Sequence, residues 1–318
     1  MDRRLLLRLG LGAAVVGGTF WVRDHVLWAP PKASFSGPRQ TTGWLPWAVR
    51  HTAVPTVRVM IAGRQINALV DSGAQYSVID RALFAALSAD RGAPRGFDLP
   101  LVAYGVSGEP QMGKGAMLDL SVGSLRLTGL RTGILTLGPL AGAEGLSTPL
   151  VLGQDVLGRL RFGVDTDRRR LVFTAPDADR LPPDVSPVSV TRRGRALVAA
   201  ITVEGMRIDA VVDTGASGLL SLRRSVADAA GLLDGRPVEH GSSLVLGGAV
   251  AARIVRARTM TFADQVHRNR PVSIFADTAA PGVPDALLGM GAFAGRRAVI
   301  DMGAGRLWAS RPLDLTVG

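Results

Sequence analysis

The chain repeats itself. Ile61-Ala62-Gly63-Arg64-Gln65-Ile66-Asn67-Ala68-Leu69-Val70 leads into Asp71-Ser72-Gly73-Ala74. With an offset of 142 positions and no gap, Val203-Glu204-Gly205-Met206-Arg207-Ile208-Asp209-Ala210-Val211-Val212 leads into Asp213-Thr214-Gly215-Ala216. A second echo pairs Val151-Leu152-Gly153 with Leu287-Leu288-Gly289, 136 positions apart. At that offset Leu157, Val164, Asp165 and Leu171 meet Phe293, Ile300, Asp301 and Leu307. The offsets differ by six residues, which one loop deletion explains. Self-similarity at a fixed spacing marks duplicated structural units. The fold therefore has to be built from two similar lobes, and 318 residues suit two of ordinary domain size.

The local pattern inside each repeat is that of strands. Thr56 to Ile61 and Gln65 to Val70 flank Ala62-Gly63, and Leu197 to Val203 and Arg207 to Val212 flank Glu204-Gly205. Each is the signature of a hairpin. Short helices are expected after each Asp-Ser/Thr-Gly motif, over 81–90 and 223–232, and the remainder reads as short strands between Gly and Pro. The class is all-β. The expected division is an N-terminal segment over 1–50, lobe one over 51–175, a Pro- and Asp-rich linker over 176–187 and lobe two over 188–312. With 47% hydrophobic and 20% charged residues, each lobe can bury a core.

An apolar strand ending in Asp-Ser/Thr-Gly delivers a carboxylate onto a tight turn, where glycine leaves room for a second chain to come close. One such motif marks an ordinary turn. Two at equivalent places in a repeat point to a pair of carboxylates, Asp71 and Asp213, that lobe packing would bring together. Two carboxylates a few ångströms apart share a proton, so one can take a proton from water while the other polarises a carbonyl. The other repeated acids, Asp165 and Asp301, read as turn or strand-end residues. Asp155, with Gly291 at its counterpart, reads as structural. Ser217 and Ser221 lie in no Gly-x-Ser-x-Gly elbow. The absence of cysteine removes disulfides, thiol catalysis and zinc-thiolate sites, and His25, His51, His240 and His267 show no metal-ligand spacing. No metal site is expected.

The stretch Asp71-Ser72-Gly73-Ala74-Gln75-Tyr76-Ser77-Val78-Ile79 resembles the active-site loop of retropepsin-like aspartic proteases, of the pepsin and retropepsin clan. Val151-Leu152-Gly153-Gln154-Asp155-Val156-Leu157 resembles the hydrophobic-hydrophobic-Gly segment that follows in each lobe, and lobe two repeats both features. The resemblance covers about residues 52–174 and 188–311. It implies a two-lobed aspartic-protease fold, each lobe a closed β-barrel with a short helix. It implies an aspartic endopeptidase in which Asp71 and Asp213 hold and activate a water, with no cofactor. Ser72 and Thr214 would brace the loops across the interface, Gly73 and Gly215 would let them approach, and Gly153 and Gly289 would support them from below. The family's flap is expected near Tyr104-Gly105 in lobe one and Gly247-Gly248 in lobe two, where the local reading is a Gly-rich turn. Leu219 stands where lobe one has Ser77, leaving Ser217 or Ser221 as substitutes. The competing class is a catalytically silent peptide-binding or scaffold protein on the same fold.

The formal charge of +11 comes from scattered arginines without a basic stripe of interleaved aromatics, so no nucleic-acid partner is expected. The partner expected is a polypeptide substrate, bound by a monomer, since two lobes complete the site. The start, Met-Asp-Arg-Arg-Leu-Leu-Leu-Arg, followed by the apolar run Leu9 to Val22, has the pattern of an export signal, and Arg3-Arg4 resembles a twin-arginine signal. An exported, periplasmic or outward-facing anchored location is expected, with membrane association through residues 5–28, ahead of a cytoplasmic one. Trp21, Trp28, Trp44 and Trp47 fit a membrane interface, and Trp44 and Trp47 equally fit a linker packed onto lobe one.

Overall fold

The computed structural model describes residues 28–88, 93–104, 110–143, 145–177, 181–245, 248–263, 265–278 and 282–311. Two short strands come first, β1 (Lys32–Phe35) and β2 (Leu45–Pro46). Lobe one then contributes β3 (Thr56–Ile61), β4 (Arg64–Val70), β5 (Val78–Asp80), β6 (Arg95–Tyr104), β7 (Pro110–Val122), β8 (Leu125–Leu135) and β9 (Leu150–Leu152). The middle of the chain supplies β10 (Arg161–Asp165), β11 (Arg170–Thr174) and β12 (Val185–Val188). Lobe two follows with β13 (Val190–Arg193), β14 (Ala196–Val203), β15 (Met206–Val212), β16 (Leu220–Arg223), β17 (Val238–Val245), β18 (Gly248–Phe262), β19 (Gln265–Phe275) and β20 (Ala286–Leu288). The last strands are β21 (Arg297–Asp301) and β22 (Arg306–Ser310). The helices are short: α1 (Arg81–Leu87), α2 (Gln154–Leu157) and α3 (Arg224–Ala229).

Each lobe closes on itself. In lobe one the ring runs β8-β5-β9-β4-β3-β7, and β7 pairs back onto β8. In lobe two it runs β19-β16-β20-β15-β14-β18, and β18 pairs back onto β19. The duplication seen in the sequence is thus a duplication of a six-stranded barrel, strand for strand. The opening hairpins turn through Ala62-Gly63 (φ 49° and 80°) and Glu204-Gly205 (φ 49° and 88°). Positive φ at both central residues gives the turn whose twist matches paired strands. Apolar residues alternate inward: Val57, Val59 and Ile61 of β3 are buried, as are Leu197, Ala199, Ile201 and Val203 of β14. Each large side chain of this kind contributes roughly 1.5–3 kcal/mol.

A third sheet joins the lobes, in the order β12-β22-β21-β10-β11-β2. Its centre is the antiparallel pair β10 and β21, one from each repeat, with Phe162 opposite Ile300 and Val164 opposite Ala298. The repeated acids Asp165 and Asp301 end these strands. Asp165 accepts from Arg168 N at 3.0 Å and Asp301 from Ala304 N at 2.8 Å, the same three-residue turn twice. Arg170 Nε reaches Asp165 at 3.0 Å, and Arg161 lies 3.6 Å from Asp301.

The segment read as a linker before lobe one is woven into the fold. β1 pairs with β8, β2 pairs with β11, and Trp47 belongs to the buried core. Trp28 is buried edge-on against Tyr76 and Phe97, with ring centroids 5.2 and 6.1 Å away. Trp44 carries Arg170 over its ring at 4.6 Å. Trp47 therefore packs onto the protein as a linker residue, Trp28 does so as well, and Trp21 lies outside the described residues. The linker read over 176–187 likewise ends in structure, since Val185–Pro187 pair with β22 in the shared sheet. Among the described residues no helix is long and apolar enough to cross a membrane.

Candidate active site

β4 and β15 are fully apolar at their ends, and each finishes at a carboxylate because the following Ser/Thr-Gly can turn tightly. Val70 and Val212 are buried, and Asp71 N and Asp213 N bond to Leu152 O and Leu288 O at 3.0 and 2.9 Å. The strands β9 and β20, which carry Leu152 and Leu288, run parallel beside β4 and β15. Both aspartates are thus held by backbone to the second repeated motif of their own lobe.

The lobes then lock together through the two hydroxyls. Ser72 N donates to Thr214 Oγ1 at 2.9 Å, and Thr214 N donates to Ser72 Oγ at 3.0 Å. Each hydroxyl also donates across the interface, Ser72 Oγ to Val212 O and Thr214 Oγ1 to Val70 O, both at 2.7 Å. Ser72 and Thr214 are buried. Every polar atom of the exchange is satisfied by the opposite lobe, so the loops can be close only when both lobes are in place.

Glycine is required at the contact. A Cβ added to Gly73 would lie 2.6 Å from the Asp213 carboxyl carbon, and one added to Gly215 would lie 2.6 Å from that of Asp71. Each carboxylate therefore rests against the opposite loop. Gly73 N and Ala74 N donate to Asp71 Oδ1 at 2.7 and 3.1 Å, and Gly215 N donates to Asp213 Oδ1 at 2.8 Å. Gly153 and Gly289 sit directly under the loops. An added Cβ would stand 2.8 Å from Ala74 O at the first and 2.6 Å from Ala216 O at the second.

Burial pushes both carboxyls above the usual range, although each residue keeps part of its surface exposed. The two side chains are hydrogen-bonded to each other. Desolvation raises Asp213 furthest, and the charge of Asp71 and its hydrogen bond add to that rise. The bond from Asp213 and the loop N–H groups favour the charge on Asp71. One shared proton, weighted toward Asp213, follows.

The flap residues are placed only in part. β6 ends at Tyr104, opposite Pro110, and β17 meets β18 at Val245 and Gly248, so a long hairpin stands at each expected position. Gly105 and Gly247 lie outside the described residues. Lower on the lobe-one hairpin, the cross-strand neighbours Val102 and Met112 are exposed.

Two supporting contacts brace the loops from below, and the second gives Asp155 its structural role. Gln154 Nε2 donates to Ser72 O at 2.8 Å, bracing the hydroxyl exchange from below. Asp155 accepts from Ser77 N and, at 2.7 Å, from Ser77 Oγ, which in turn accepts from Gly153 N at 3.0 Å. Burial pushes the Asp155 carboxyl up to about 6. The signal was present as two separate breaks in the repeat, Ser77 against Leu219 and Asp155 against Gly291. In lobe two neither Ser217 nor Ser221 takes over: Gly289 N donates to Leu219 O at 3.0 Å instead.

The aspartyl protease family model matches residues 57–156 and again 199–292, once per lobe. The chain belongs to the aspartyl protease family. Both matches span an Asp-Ser/Thr-Gly loop and the Gly153 or Gly289 segment beneath it, so the family's two halves coincide with the two barrels. Among solved structures the chain is similar to basic 7S globulin from soybean, at 11% identity and a TM-score of 0.51, covering 84% of this chain and 95% of that one. That likeness shows the fold. Among curated proteins none matches the sequence.

Proposed function

We propose that this member of the aspartyl protease family is an active endopeptidase that hydrolyses peptide bonds with a water held between Asp71 and Asp213. The observation that carries the reading is the dyad itself. Two hydrogen-bonded carboxyls, each lodged against the opposite loop's glycine, are both pushed upward by burial and so hold one proton between them. Asp71, the more readily ionised partner, takes a proton from the water as it attacks the carbonyl carbon. Asp213 donates its proton to the carbonyl oxygen. The resulting gem-diol collapses with proton transfer to the leaving amine, and no covalent intermediate forms. The substrate is an extended polypeptide lying between the lobes, paired with strand edges and with the β6–β7 hairpin. A monomer suffices, because both loops come from one chain.

The test is hydrolysis of a peptide library from acidic to neutral pH by the full-length protein, beside Asp71→Asn and Asp213→Asn. Cleavage by the parent and none by either folded variant supports the reading. A folded parent that binds peptides without cutting them replaces it with the silent-scaffold reading, between which and an enzyme the likeness to a globulin does not choose. The basic and apolar residues 1–22 support a further part of the proposal, export or tethering at a membrane. Deleting residues 1–27 should then leave peptide hydrolysis intact and move the protein to the soluble cytoplasmic fraction.

A further inference from the structure

The duplication supplies an internal control for each core position. His267 on β19 pairs opposite Met260, and its counterpart in lobe one is Leu127, which pairs opposite Leu120. Arg296 directly precedes β21, as Leu160 directly precedes β10. Leu127 and Leu160 are both fully buried members of the core. Lobe two has replaced two core leucines with an imidazole and a guanidinium.

Neither replacement is satisfied. Arg296 is only 5% exposed, and its Nε and Nη1 are buried without a hydrogen-bond partner. His267 Nε2 is likewise buried and unpartnered. Burial first, and then the charges of Arg270 and Arg296, hold the His267 pKa down. Burial alone lowers Arg296. Among the described residues no carboxylate acts on either group. A buried cation without a counter-charge is strongly unfavourable, and chains that keep one supply an anion.

We propose that Arg296, His267 and Arg270 form a binding site for a small inorganic anion in lobe two. Phe262, at the end of the β18–β19 hairpin, packs on Phe293, three residues before Arg296, with ring centroids 5.8 Å apart. The hairpin end that carries His267 therefore lies against the segment that carries Arg296, and their three orphan nitrogens are offered to one anionic centre, with exposed Arg270 adding attraction at its edge. The site also touches the seam between lobes: Thr166 of the lobe-one turn holds Arg296 O through its N and Oγ1, at 3.1 and 3.0 Å. An anion that fixes Arg296 therefore fixes one end of the β10–β21 pair. This inference does not depend on peptide hydrolysis.

The experiment is thermal unfolding of the full-length protein against rising phosphate and, separately, chloride, at constant ionic strength held with bulky gluconate. Beside it run Arg296→Leu and His267→Leu, which install the lobe-one residues and so keep an apolar core. Saturable stabilisation of the parent, reaching roughly 5 °C at a hundredfold excess over Kd, and its loss in Arg296→Leu establish the site. The two arms then say whether a phosphate or a halide is preferred. The imidazole of His267 should also titrate at higher pH when the anion is bound, read by NMR among only four histidines. A response that does not saturate, or that persists unchanged in Arg296→Leu, overturns the proposal, as does a His267 titration indifferent to both anions.

Discussion

The two Asp-Ser/Thr-Gly loops have the same shape and are held up by different chemistry. In lobe one a side-chain relay does it: Asp155 takes the Ser77 N–H and O–H, and Ser77 Oγ takes Gly153 N–H. In lobe two the backbone does it alone: Gly289 N bonds Leu219 O and Gly291 N bonds Gly218 O at 3.1 Å. An acid could not stand at the second position, because a Cβ on Gly291 would lie 2.6 Å from Leu219 N. The serine and the acid are therefore exchanged as a pair for leucine and glycine. Duplication has kept the geometry that the dyad needs and let the supporting bonds diverge. Lobe one consequently rests on a titratable buried group, and lobe two does not.

The comparison is broken most completely at the dyad, where the lobes should be equal. Asp71→Asn and Asp213→Asn should each lower peptide hydrolysis by roughly a thousandfold or more with the fold intact, as steady-state assays and circular dichroism would show. A variant that retains most activity would mean that the lobes do not share the chemistry. Gly73→Ala and Gly215→Ala come next. Each drives a methyl into the opposite carboxyl, and turnover should fall by about a hundredfold or more in both.

The difference between lobes is sharpened at Asp155. Its carboxyl is at about 6 in the fold against an ordinary value of 3.8. A carboxyl raised by folding contributes stability that is fully present below about 3.8 and is lost as pH rises through about 6. The loss by neutral pH is on the order of 3 kcal/mol. Unfolding midpoints of the parent and Asp155→Asn, measured from pH 4 to 7, should converge or cross as pH rises, and parallel curves would contradict this. Importing the lobe-two solution as Ser77→Leu with Asp155→Gly should show coupling of about 0.5–3 kcal/mol in a double-mutant cycle. Strict additivity would mean that the exchange is two independent changes. At the shared hydroxyls the lobes should again be equal: Ser72→Ala and Thr214→Val should each cost about 1–3 kcal/mol in denaturant unfolding, and nearly the same amount.

Much of this was legible before any coordinates. The Ala62-Gly63 and Glu204-Gly205 hairpins, the helices beginning near Arg81 and Arg223, and the strand-end role of Asp165 and Asp301 all follow from local patterns. The helices end early, at Leu87 and Ala229. The reading failed where partners are distant. Residues 32–46 carry no strong strand signal, yet two of their segments find partner strands at Leu125–Thr128 and Arg170–Leu171, far along the chain. Gln154 was unread because nothing local ties its amide to Ser72 O.

The sequence by itself determined that there are two similar strand-built lobes and where the two carboxylates stand, because hydrophobic alternation, tight turns and a repeated segment can be read along the chain. Only the tertiary structure decided that the lobes share a six-stranded sheet, that Ser77 answers to Asp155 while Leu219 answers to backbone, and that Nε and Nη1 of Arg296 and Nε2 of His267 are buried without partners. The reason is physical. Strand formation and turns are settled by neighbours along the chain, whereas the satisfaction of a buried polar group depends on which distant atoms the closed fold brings within about 3 Å.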